Sequence, residues 1–178
     1  LEQFFVRLPM REAAEELVGE ILDGLELFAE RGWLSDPAAY HEVPPALPSP
    51  QIKTRRSAGS QYEHLSFDSL YTPHPGEPGR DRWLGFSANR TAHAFVLRHG
   101  DPDRPWLVCC NGYRSGSPQL DLRLFRRYHR ELGLNVLIPV LPLHGPRKQG
   151  RISGEGFLSG WVMDSLHAEA QALWDIRR

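Results

Sequence analysis

Cysteine is nearly absent: 178 residues hold two, the adjacent Cys109 and Cys110. Neighbours on a strand face opposite sides, so a bridge between them would be badly strained. Without a disulfide framework, the chain suits a reducing, cytoplasmic setting. Lysine is scarce as well, 2 against 19 arginines, and the arginines are scattered. A net charge of −1 gives no bulk attraction to nucleic acid or to an anionic membrane. No apolar run approaches the ~20 residues of a membrane-spanning helix. The start of the chain lacks the basic-then-apolar layout of a signal peptide. The eight histidines include no H-x-x-x-H or H-E-x-x-H, and there is no C-x-x-C. His93 and His99 share a strand face but lie too far apart for one ion. Neither metal nor cofactor is expected.

What is present reads as a globular α/β protein, 40% apolar and 24% charged. Residues 9–31 form an amphipathic helix, with Pro9 at its first turn, Gly32 past its end, and Leu17, Ile21, Leu25 and Phe28 as the buried stripe. Prolines from Pro37 to Pro50 make an irregular arm, and the Lys53-Thr54-Arg55-Arg56 cluster within it is expected to be a solvated loop. Residues 1–60 are therefore a helix and Pro-rich arm, and 61–178 the main domain. There the period changes to two. Tyr62 to Tyr71 and Thr91 to Arg98 read as strands. Trp106 to Cys110 is a near-continuous apolar run, the mark of a strand covered on both faces. Ser117 caps a helix that opens on Pro118, carries Leu120, Leu124, Phe125, Tyr128 and Leu132 inward, and stops at Gly133. Asn135 to Leu141 is the next strand, in which Pro139 argues for a bulge or an end. A helix from Trp161 to Arg178 closes the chain. Strand–helix–strand–helix implies a parallel pair.

Ligands of open α/β sheets bind beyond the carboxyl ends of the strands. The loops at 111–117 and 142–160 lie there. A strand running into Asn111-Gly112-Tyr113-Arg114 and then a capped helix presents free backbone N–H groups, which can hold a developing oxyanion.

On these residues the stretch from about 62 to 178 resembles the N-terminal half of the α/β-hydrolases. Leu141-Pro142-Leu143-His144-Gly145-Pro146-Arg147, the Ser153–Gly160 stretch and Trp174-Asp175-Ile176-Arg177-Arg178 look like a branch of abhydrolase-domain proteins. The resemblance implies a partial sheet of about four strands and serine-type hydrolysis of a small acyl substrate. It puts Asn111-Gly112 where relatives have His-Gly, and Tyr113 where the oxyanion-hole N–H is expected. Arg114, His144 and Arg147 would border the substrate. No G-x-S-x-G is present: Gly112–Gly116 and Gly156–Gly160 place Ser115 and Ser159 fourth, not third. The family's order puts nucleophile, acid and histidine beyond Arg178. The start at Leu1 and the end inside a helical pattern also suggest a fragment, inactive alone.

Each of these residues has a plainer role to weigh. His144 would bond a nearby carbonyl, Arg147 would pin its loop by an ion pair, and Asp121 and Asp164 would be ordinary helix carboxylates. Ser153 and Ser159 would cap the last helix, and both cysteines would be core residues with raised pKa. Two other functional classes remain. The strand–Gly loop–helix unit could bind a phosphate at the helix N-terminus, helped by Arg114. Alternatively, a non-catalytic module could associate through the open edge left at 106–110.

Overall fold

The computed structural model describes residues 11–110, 112–158 and 161–178, with side chains from residue 14. Its chain is mixed α/β, with a five-stranded open sheet and four α-helices among the described residues. Two compact units are formed: Leu1–Pro45, Leu70–Ser87 and Gly156–Arg178 make one, and Ala46–Ser69 with Ala88–Glu155 the other. No helix among the described residues is long and apolar enough to cross a membrane.

The first unit is helical: α1 (Arg11–Glu30), α2 (Arg80–Gly85) and α4 (Val162–Ile176). Its interior holds paired polar groups. Arg82 reaches Glu20 at 2.7 Å and Asp164 at 2.8 Å, and its guanidinium lies 4.3 Å from the centre of the Trp161 ring. Buried Trp83 donates to Gln171 at 3.1 Å. α1 half-buries Leu17, Ile21 and Phe28 of the expected stripe beside Glu20 and the buried Gly24, but Leu25 is exposed with Val18 and Leu22.

The second unit is the sheet, in the order β1-β2-β3-β5-β4. Its strands are β1 (Gln51–Ser57), β2 (Ser60–Asp68), β3 (Thr91–Leu97), β4 (Trp106–Val108) and β5 (Asn135–Val140). β1 is the fifth strand, formed where the sequence suggested a solvated loop. Its seven residues pair in register with β2 across the turn Ala58-Gly59. Both turn residues have positive φ, 49° and 73°, the twist that joins two antiparallel strands by two residues. Charge made this segment look like loop, but an edge strand can carry charge on its open side.

β3 pairs antiparallel with β2 on one side and with β5 on the other, and β5 pairs in parallel with β4 through the connecting helix α3 (Pro118–Leu132). Phe95, Leu97, Val136, Ile138 and Val140 form the sheet's share of the core, with Tyr62 beside them and Leu122 of α3 against them. The rotation of α3 also differs from expectation. Asp121 and Leu122 are buried, whereas Leu120, Leu124 and Leu132 are exposed. Pro139 interrupts nothing. Cys109 N–H donates to the Leu137 carbonyl, so Leu137 faces β4, and Pro139, two residues on, faces the same side. β4 has already ended there, so the missing N–H leaves no partner waiting.

β4 corrects another expectation. Its burial alternates from exposed to intermediate to exposed, with Trp106 at 47% and Val108 at 45%, so it is not covered on both faces. Cys109 is buried with its thiol pKa pushed up by burial, while Cys110 is exposed rather than core.

Candidate functional site: two crossing loops behind strand β4

β4 runs into the loop that leads to α3, and β5 runs into the loop after Val140. The two loops touch backbone to backbone at Gly116 and Gly145. A Cβ on Gly116 would lie 2.8 Å from Gly145 N, and a Cβ on Gly145 would lie 2.0 Å from Gly116 O. Both glycines have positive φ, 95° and 49°. No other residue type fits so close a crossing in that conformation.

Side chains tie the crossing. Ser153 Oγ accepts from Gly145 N at 2.8 Å and donates to the Ser115 carbonyl. Asp121, fully buried, accepts the Gly116 N–H at 3.0 Å. Ser117 caps α3 by accepting from Leu120 N, as its sequence position implied. Ser153 therefore locks loops and does not cap α4, whose first residue follows Trp161 with no side-chain cap. Asp121 stands in the first turn of α3 as expected, and from there it also anchors the loop. A serine and an aspartate at unremarkable spacings gave no sequence signal for this. The glycines were visible in the sequence, but only as loop formers.

The residues expected to meet substrate separate into two depths. Asn111 and Ser159 lie outside the described residues. Gly112 is exposed with open space around it, and Tyr113 is half exposed. Neither backbone N–H makes a hydrogen bond among the described residues. Arg114 adopts φ 68° and sets its guanidinium 5.9 Å from the centre of the Tyr113 ring. Ser115 is buried, with Oγ donating to the Gly112 carbonyl, which is no posture for a nucleophile.

His144 lies deeper, 1% exposed, edge-on to Tyr113 with ring centres 6.5 Å apart. Nδ1 bonds the Pro142 carbonyl at 2.9 Å and so carries the proton, which leaves Nε2 as the acceptor nitrogen. Burial, aided by Arg147, lowers the pKa against the raising effect of that carbonyl, so the ring is neutral near pH 7. Arg147, also 1% exposed, donates to Val140 O at 3.0 Å and Asn89 O at 2.9 Å. It pins its loop through those carbonyls and, so buried, offers no surface to an anion. The structure thus brings Tyr113, Arg114 and His144 together and sets Arg147 in the interior.

No group of three His, Cys, Asp or Glu among the described residues could hold a metal ion. His64 and His93 approach to 3.1 Å across β2 and β3, but as a pair.

No family model matches the chain. Two curated proteins of Mycobacterium tuberculosis, both described as uncharacterized, are similar to it. The protein of strain CDC 1551 / Oshkosh is 46% identical over 166 residues, covering 92% of this chain and 40% of its own length. That of strain ATCC 25618 / H37Rv is 45% identical over 166 residues, with the same coverage. The chain therefore spans about two-fifths of the relatives it matches.

Proposed function

We propose that this chain is the N-terminal portion of a serine-type α/β-hydrolase acting on a small acyl substrate. It would supply the oxyanion-side loop to a nucleophile carried elsewhere in a longer polypeptide. The observation that carries this is one arrangement at β4. The strand sits at the end of the order β2-β3-β5-β4 with an apolar open edge, and beyond its carboxyl end lie the N–H groups of Gly112 and Tyr113, unbonded among the described residues. Those N–H groups are what a tetrahedral intermediate needs, each donor being worth roughly 3–4 kcal/mol where aligned. The locked crossing at Gly116 and Gly145 would hold the loop still, because donors stabilise a developing charge only if they need not reorganise. His144, neutral and buried, would back the Tyr113 ring rather than take a proton from substrate.

The phosphate-binding alternative is weaker. At the N-terminus of α3 the Gly116 N–H already meets a carboxylate, Asp121, where an anion would sit. The test uses the longer protein. A fluorophosphonate probe should label one serine outside residues 1–178, and p-nitrophenyl esters should turn over. Tyr113→Pro, which removes the N–H, should lower kcat about 100-fold or more with KM little changed. Tyr113→Ala, which keeps the N–H, should lose far less. Labelling within this chain, or none in the longer protein, would overturn the assignment.

A further inference from the structure

The net charge of −1 conceals two opposite halves. By sequence, the helical unit carries 15 Asp and Glu against 7 Lys and Arg, and the sheet unit 14 Lys and Arg against 7 Asp and Glu. The imbalance concentrates on two helices. α1 has seven carboxylates and one arginine, and no basic residue in its last turn to offset the helix dipole. α3 has four arginines, Arg123, Arg126, Arg127 and Arg130, against two carboxylates, one of them the buried Asp121.

Each helix also shows an apolar stripe to solvent. On α1 it is Val18, Leu22 at 59% exposure, and Leu25, spaced by four and three. On α3 it is Leu120 and Leu124, the latter at 52%. At about 100° per residue, Glu26 flanks the first stripe on one side with Asp23 further round the same side, and Arg123 and Arg127 flank the second on the opposite hand. Viewed from the N-termini, that pairing of hands brings acid to base when the two helices run parallel. Among the described residues none of Asp23, Glu26, Arg123 and Arg127 is in an ion pair.

We infer that these faces belong together across two molecules: α1 of one copy docks on α3 of a second copy of this chain. The leucines provide the buried seam and the flanking charges set partner and direction, since rim charges act chiefly on specificity and encounter. A second copy is the fitting occupant because this one sequence carries both complements. Each copy has both faces, so the contact either closes reciprocally or runs head to tail.

The test is sedimentation velocity on this chain across protein concentration at low and high salt. Self-association should appear at low salt and weaken as salt rises. The double variant Arg123→Glu/Arg127→Glu and the double variant Asp23→Lys/Glu26→Lys should each weaken it by about tenfold or more. An equimolar mixture of the two should regain association, because reversed charges again meet. All four positions are exposed, so circular dichroism and Tm should match the parent and exclude unfolding as the cause. A monomer at every concentration, association indifferent to both variants, or a mixture that stays dissociated would each overturn the assignment.

Discussion

β1 and β4 close the same sheet from opposite ends, and they are finished in opposite ways. β1 offers seven residues of open edge and covers them with Lys53, Arg55 and Arg56. β4 offers three residues, and its exposed side chains are Trp106 and Val108. Charged side chains on an edge discourage another strand from adding, whereas apolar ones invite it. At the β1 end the chain turns back through Ala58 and Gly59, whose carbonyls accept from Arg126 and Arg130 and whose backbone meets no other backbone closely. A Cβ on Gly59 would meet nothing closer than the Arg126 guanidinium at 3.7 Å. At the β4 end the chain enters the locked crossing of Gly116 and Gly145. One edge carries charge on its open strand, and the other is apolar with its exit loop held rigid beside it.

The largest expected effect tests that rigidity. Gly145→Ala drives a Cβ against the Gly116 carbonyl in a left-handed conformation, so it combines a backbone clash with strain. It should destabilise the sheet unit by about 3 kcal/mol or more. Gly59→Ala meets only the strain, about 1 kcal/mol. Urea denaturation of the two variants reads the difference, and equal costs would erase the contrast between the two ends. Next comes Asp121→Ala, which leaves the Gly116 N–H buried without its acceptor and should cost about 2 kcal/mol. Amide exchange at Gly116 should then accelerate with no change at Ser60 on the other edge.

Between the edges lies the His64–His93 pair, which sets a third, smaller effect. Burial, with His64 and Arg147 adding to it, pulls His93 down to about 4. His64 is lowered too, mainly by burial. A histidine whose folded pKa is depressed binds its proton better when unfolded, so stability is full above about pH 6.5 and falls between there and pH 4. Both rings are part-exposed, so solvent screening leaves about 1 kcal/mol for His93. His93→Phe should flatten that part of the Tm–pH curve, and an unchanged slope would remove the pair as its source.

Seven elements were legible because each follows from local periodicity or capping: α1, α3, α4, β2, β3, β4 and β5. The cap at Ser117 and the stop at Gly133 were read from residue type alone, and both hold. What escaped depends on partners distant in sequence. β1 reads as loop until β2 is set beside it, because strand pairing across a hairpin outweighs a charged composition. The exposure of Leu25 on α1 and the rotation of α3 were misjudged because Glu20 and the buried Asp121 point inward, toward Arg82 and the Gly116 amide. No count of leucines contains those partners. The site divides the same way. The loop of Gly112 and Tyr113 was legible as strand, glycine and cap in order. Its lock by Ser153 and Asp121, and the burial of Arg147, arise from a crossing of two loops separated by nearly thirty residues.

The smallest stability effect bears most directly on the two edges. Val108→Lys places a charge on the exposed side of β4, and Ile52→Lys does the same on β1, each at a half-exposed position. Neither should change stability by more than about 0.5 kcal/mol. Their effects on association should nevertheless differ. β1 already carries three cations, so a fourth changes little. β4 has none on its own residues; the nearest is Arg98, 5.1 Å from the Trp106 ring centre. If β4 is the edge meant for continuation, Val108→Lys should raise the solubility limit of this chain severalfold and Ile52→Lys should not. In the longer protein, Val108→Lys should instead destabilise, because a strand seated on β4 would bury the new charge. Equal responses from the two substitutions in both lengths of chain would mean that the edges are equivalent and that nothing is built onto β4.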